Sequence, residues 1–165
     1  MRSTIIFTVI LFYFYSFTKI KAETEEKQEN LTLNTIDKQI RPHFVEFLQY
    51  CSISPYAEKC KKNLKLLSSV KFKKMPDPFN ENVVGVCDIY DTFREVKLKN
   101  NAFPVESLEF KLLVWHELGH CLMDRPHVKE KAHIMNQEIV DNKTITTQWT
   151  NLVRHFLYDP PEWHK

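Results

Sequence analysis

The sequence predicts an α+β (or α/β) domain, a small mixed sheet packed with a long central helix and a C-terminal helix. Three observations predict it. Apolar residues recur at spacings of three and four over 105–122 and 146–156, the period of helices with one buried face. Short stretches near 70–75, 83–90 and 93–98 alternate apolar with polar residues or concentrate β-branched side chains, as strands do. The chain has 165 residues, enough for one domain with a modest core and too few for two.

Met1 and Arg2 precede an uncharged apolar run from Ile5 to Phe17, which gives way to Thr18, Lys19, Ile20, Lys21 and Ala22. That order is a secretory signal peptide over 1–22, cleaved near Ala22. The run is shorter than the roughly 20 residues of a membrane-spanning helix, so an uncleaved, tilted anchor is the lesser alternative. Residues 23–34 are mostly Glu, Thr, Gln, Asn and Lys and read as a flexible leader, which leaves 35–165 as the folded domain.

From Asn34 to Tyr50, Ile36, Ile40, Phe44, Phe47 and Leu48 form a helical stripe that Pro42 either breaks or bends. Lys61–Ser69, with Leu64, Leu66 and Leu67, predicts a short helix, and Val70–Met75 a strand with one wet face. Pro76, Asp77, Pro78 and Asn80 make a loop. Val83, Val84, Val86, Ile89 and Tyr90 predict a strand; Phe93, Val96 and Leu98 its partner, with a hairpin turn at Tyr90, Asp91 and Thr92. The helix from Val105 to Leu122 carries Leu108, Leu112, Trp115, Leu118 and Leu122 on its stripe, with Glu106 and Glu109 near its positive end. Trp149, Leu152, Val153 and Phe156 mark the helix from Thr146 to Phe156.

Composition excludes several classes of function. With only two glycines, Gly85 and Gly119, no glycine-cradled phosphate or dinucleotide loop is present. The formal charge of +2 falls to about −1 once Arg2, Lys19 and Lys21 leave with the signal, so no nucleic-acid partner is indicated. Lys59, Lys61, Lys62, Lys65, Lys71, Lys73 and Lys74 lack interleaved aromatics and read as a solvated face. Four cysteines in an exported chain predict two disulfides. Cys51 and Cys60 are near neighbours across a loop with Pro55, leaving Cys87 to join a strand to the long helix at Cys121. No CxxC pair occurs, which argues against a thiolate metal site.

The chemistry lies in His116-Glu117-Leu118-Gly119-His120. Two imidazoles four residues apart on a helix share one face within reach of a single ion, and the adjacent carboxylate can take a proton from water that the metal acidifies. Such a run can also be ordinary helix, but it falls on an independently predicted helix in an exported chain. Catalytic zinc sites take three protein ligands and keep a position for water. His127, reached through Asp124, Arg125 and Pro126, is the preferred third ligand over Asp124, His133 and Glu138. Asp124 reads as a turn residue that tolerates left-handed backbone, His133 as solvated, and Glu138 as a neighbouring charge. Arg125 either pairs with a carboxylate to hold the turn or is solvated. Cys121 projects from another helical face.

The run His116-Glu-Leu-Gly-His-Cys-Leu-Met-Asp-Arg-Pro-His127, followed by Ile134-Met135-Asn136, resembles the metzincin group of zinc metallopeptidases. It is more closely similar to small exported bacterial proteins with a histidine-cysteine-x3-arginine-x-histidine continuation. The resemblance implies a zincin-like domain in which His116, His120 and His127 bind Zn2+, Glu117 is the general base, and Met135 forms a methionine turn beneath the metal. It spans about Val83 to Asn136; Asp124 stands where the group has glycine, and His127 comes one residue late. It further implies that the strand 83–90 lies above the cleft and pairs with an extended peptide. The expectation is a monomeric zinc endopeptidase in the periplasm or outside the cell, acting on peptide or protein, with no nucleic-acid partner and no membrane contact after signal cleavage. The alternatives are a zinc hydrolase of cell-wall or other non-peptide material, and a catalytically inactive exported binding protein.

Overall fold

Pro42 decides where the first helix begins. In the computed structural model, which describes residues 34–74 and 83–159, α1 runs Arg41–Ser52 with Pro42 in its first turn, where its missing N–H costs no intrahelical bond. The stripe that predicted a helix from Asn34 therefore breaks rather than bends. Ile36 and Ile40 are buried as the stripe requires, but Ile36 bridges Val70 in parallel and the Asp37 N–H donates to the Val70 carbonyl at 3.0 Å. The Asp37 carboxylate accepts from the Phe72 N–H at 2.7 Å, so this segment covers one edge of the sheet. The chain divides into two units, Met1–Asn34 and Thr35–Lys165, and every element named here belongs to the second. The signal peptide over 1–22, the leader from residue 23, the loop at Pro76–Asn80 and the tail from Pro160 lie outside the described residues.

Helix α2, Ala57–Leu64, is joined to α1 by the Cys51–Cys60 disulfide, with Cα atoms 6.5 Å apart. It lies earlier than the predicted Lys61–Ser69 because strand β1, Leu67–Lys73, takes the following residues. Strands β2, Gly85–Ile89, and β3, Arg94–Lys99, form the expected hairpin, closed where Tyr90 N–H donates to the Phe93 carbonyl at 2.9 Å. The sheet order is β1-β3-β2, parallel between β1 and β3 and antiparallel between β2 and β3. With four helices among the described residues, this is a compact α+β fold with a small mixed sheet. Lys59, Lys61, Lys62, Lys65, Lys71 and Lys74 are exposed.

Helix α3, Leu108–Met123, starts three residues later than predicted because the Ser107 side chain caps it, accepting from Phe110 N–H. It runs through the middle of the fold, touching α1, α2, β2, β3 and the final helix. Helix α4, Asn142–Tyr158, starts earlier than predicted, capped by Asp141. Trp115 of α3, fully buried, meets the rings of Phe47, Trp149 and Phe156 at 5.5, 5.3 and 6.0 Å between centroids, a contact set that locks α1, α3 and α4 together. The second disulfide ties β2 to α3 through Cys87 and Cys121, Cα atoms 5.6 Å apart. Two disulfides suit an oxidising, exported environment. No helix among the described residues is long and apolar enough to cross a membrane.

Candidate metal centre

Helix α3 stacks His116 and His120 one turn apart and then stops at Asp124, whose backbone is left-handed, φ 52° and ψ 38°. Most side chains resist that conformation, and Asp124 is held in it from three sides. Arg94 donates to its carboxylate at 2.5 Å, Asn63 at 3.3 Å, and Lys59 lies 3.7 Å away. Burial raises the carboxyl's pKa, but the bond and charge of Arg94, the Asn63 bond and the Lys59 charge together outweigh it and keep the group below its ordinary value. The reversed chain brings His127 back over the helix. The Nε2 atoms of His116, His120 and His127 then lie 3.1 Å apart in each of the three pairs, a group that could hold a metal ion.

The tautomers follow from the outer bonds. His116 Nδ1 is 2.7 Å from the Ile134 carbonyl and His120 Nδ1 is 2.6 Å from the Arg125 carbonyl. A carbonyl oxygen only accepts, so both Nδ1 atoms carry protons. Burial lowers the pKa of His116 to about 3 and that of His120 to about 4. Both rings are therefore neutral, and their Nε2 atoms face each other as two acceptors with no proton to share. A cation between them resolves the conflict, and the outer bonds are those that orient metal-bound histidines.

Glu117 is 5% exposed. Burial pushes its pKa up to about 8, only partly offset by the Cys87 N–H that donates to it. Both glycines of the chain lie at this centre. A Cβ on Gly85 would stand 2.6 Å from Glu117 Oε1, and one on Gly119 would stand 2.6 Å from Met135 Sδ and 2.9 Å from Phe156 Cε2. Gly119→Ala is accordingly expected to destabilise the protein by about 1–2 kcal/mol, overpacking exceeding a helix-propensity gain of up to about 1 kcal/mol. A urea midpoint equal to the parent's or above it would show that Met135 and the Phe156 ring yield freely.

The predicted residues divide as follows. The structure brings His116, His120 and His127 together, sets Glu117 beside them under β2, and buries Met135 completely against Gly119. Cys121 points to β2 and its disulfide. Glu138 is exposed on the wall of a cleft of about 870 Å3, which runs from Val83, Val84 and Gly85 past His116, Glu117 and His127 to Gln137 and Ile139. Two expectations are corrected. His133, expected in solvent, is 2% exposed: its Nδ1 accepts from Met135 N–H at 2.9 Å and the ring donates to the His155 carbonyl, which fixes the loop that carries Met135. Arg125, expected on a carboxylate or in water, is buried and donates to the main-chain carbonyls of Phe156 and Asp159. Their free carbonyls at the end of α4 take the role a carboxylate was expected to fill.

Sequence reasoning gave no site role to Gly85, Arg94 or Ile134. The scarcity of glycine could have flagged Gly85; nothing local marks Arg94 as the holder of Asp124, or Ile134 as the acceptor for His116. No known protein family, curated protein or solved structure matches this chain.

Proposed function

We propose that the protein is a zinc-dependent peptidase of metzincin-like design, with His116, His120 and His127 as metal ligands and Glu117 as general base. The observation that carries this reading is the triangle of Nε2 atoms, two of them on rings whose only protons are spent on carbonyls. Edges of 3.1 Å come within a few tenths of the roughly 3.3 Å edge of a tetrahedron with zinc–nitrogen bonds of ~2.0–2.1 Å. Three imidazoles with no fourth protein ligand among the described residues suit a catalytic rather than a structural zinc. When bound, zinc would supply Lewis acidity, lowering the pKa of water and polarising a carbonyl.

The chain's own residues do the rest. Glu117 takes the proton from the attacking water and passes it to the nitrogen of the leaving amine. Its position depends on β2, since Cys87 N–H donates to its carboxylate and Cys87 is bonded to Cys121. The peptide preference is supported by the sheet edge beside the cleft. Val84 accepts from Lys99 N–H and Tyr90 donates to Phe93, so in this antiparallel register Gly85, Cys87 and Ile89 turn their backbone groups to the other side. Among the described residues Thr35 and Asp37 occupy the β1 edge; on the β2 edge the Cys87 N–H is taken by Glu117, and the outward backbone groups of Gly85 and Ile89 are placed to pair with an extended chain.

The test is metal analysis of the purified domain together with a mixed peptide library, N-acylated amino acids and peptidoglycan fragments. One zinc per chain with cleavage confined to peptides is the expected result. Zinc uptake with turnover only of acylated or cell-wall material would redirect the reading to another hydrolase, and uptake with no turnover to a binding protein.

A further inference from the structure

One buried cation anchors the turn between the second and third ligands from behind. Arg125 is 2% exposed, and its two ends do different things. Its carbonyl accepts the Nδ1 proton of His120 at 2.6 Å. Its guanidinium crosses to the end of α4, donating to the Phe156 carbonyl and, at 3.2 Å, to the Asp159 carbonyl. The rings of Tyr56 and Phe156 flank it, 5.3 and 5.4 Å from Cζ to centroid. The last carbonyls of a helix lack intrahelical partners and carry the negative end of its dipole, so this terminus favours a cation. A planar fork of donors holds two carbonyls in a fixed geometry, which the compact, freely rotating ammonium of a lysine does not impose. His133 gives the same loop a second tie to the same helix end, through the His155 carbonyl.

We propose that Arg125 is a positioning residue for the metal centre. It fastens the Asp124–His127 turn to the C-terminal end of α4 and thereby sets the His120 ring and the approach of His127. The proposal rests on metal binding by the three histidines and is independent of which bond is hydrolysed. An arginine that served only general stability would leave metal affinity unchanged in molecules that stay folded.

Arg125→Lys and Arg125→Met separate the two roles. Zinc affinity is measured by competition with a chromophoric chelator, ligand geometry by the visible spectrum of the cobalt(II)-substituted protein, and folding by circular dichroism at the assay temperature. Both variants keep the carbonyl that His120 uses but release the turn that holds it, and are expected to lose about 10–100-fold in zinc affinity, the usual scale of disturbing an outer partner of a metal ligand, with an altered cobalt spectrum and the larger loss in Arg125→Met. The unaltered protein supplies the same test should neither variant fold. Coupling is reciprocal, so zinc must slow amide hydrogen exchange in the last turn of α4, residues 155–159, more than in its first turn, residues 142–145. Folded variants with parental affinity and spectrum, or last-turn exchange indifferent to zinc, overturn the proposal and leave the zinc site standing. A parent that takes up no zinc overturns both.

Discussion

Glu117→Gln is expected to keep one metal ion per chain and to lower kcat by about 10²–10⁴-fold, the usual contribution of a general base. Glutamine has nearly the same shape and still accepts from the Cys87 N–H, but it cannot take a proton. The same substitution changes stability in a way that a surface carboxylate would not. In the metal-free protein burial holds Glu117 at a pKa of about 8, against an ordinary 4.5. The folded state thus binds this proton more tightly than the unfolded chain does, and the associated stability is full below pH 4.5 and is lost as pH rises through 8. The histidines act from the other side. His116, His120 and His133 are depressed by burial from 6.5 to about 3, 4 and 4, so below pH 6.5 the unfolded chain takes up protons first and stability falls with the pH. Metal-free parent should be most stable near neutrality or slightly below, and Glu117→Gln should lose only the alkaline decline. Urea melts of both proteins from pH 5 to 9 measure this; a parent with level stability from pH 6.5 to 8.5 would mean that the carboxyl is hydrated.

Why some of this centre could be read from the sequence and some could not depends on how far each cause reaches along the chain. The pair His116 and His120 follows from helix periodicity alone, and the Cys87–Cys121 bond from counting cysteines and noting which neighbours lie close. The hairpin between β2 and β3 was visible in its alternation. The parallel pairing of β1 with β3 was not, because parallel partners are brought together by the chain between them and leave no local turn signal. Pro42 announced a break but not its use: Thr35 and Asp37 hydrogen-bond to a strand more than thirty residues away. The same limit hid the support of the site. Asp124 could be recognised as a turn residue, but its left-handed backbone is held by Arg94 and Asn63, both distant in sequence. His133 looked solvated because its neighbours Lys129, Glu130 and Lys131 are polar, yet it is covered by α4. Local composition reports the loop, and burial is decided by the helix that packs on it.

His127→Ala is expected to abolish stoichiometric metal binding at micromolar zinc and, with it, all hydrolysis. If the roughly 10–16 kcal/mol of a four-ligand zinc site is shared among its ligands, losing one weakens affinity by about 10²–10³-fold. The fold should not suffer. His127 is the most exposed of the three rings, so its removal opens no internal cavity, and it takes one nitrogen out of a crowded triangle with 3.1 Å edges. Metal-free His127→Ala should therefore melt within about 0.5 kcal/mol of the metal-free parent, as exposed substitutions usually do, whereas zinc should raise the melting temperature of the parent alone. This combination, unchanged folding with lost zinc stabilisation, distinguishes a ligand from a residue that merely supports the turn. Glu138→Gln is the control, since its carboxylate is exposed and does not belong to the triangle. Retained zinc in His127→Ala, or zinc lost on neutralising Glu138, would transfer the third ligand to another side chain and undo the assignment of the centre.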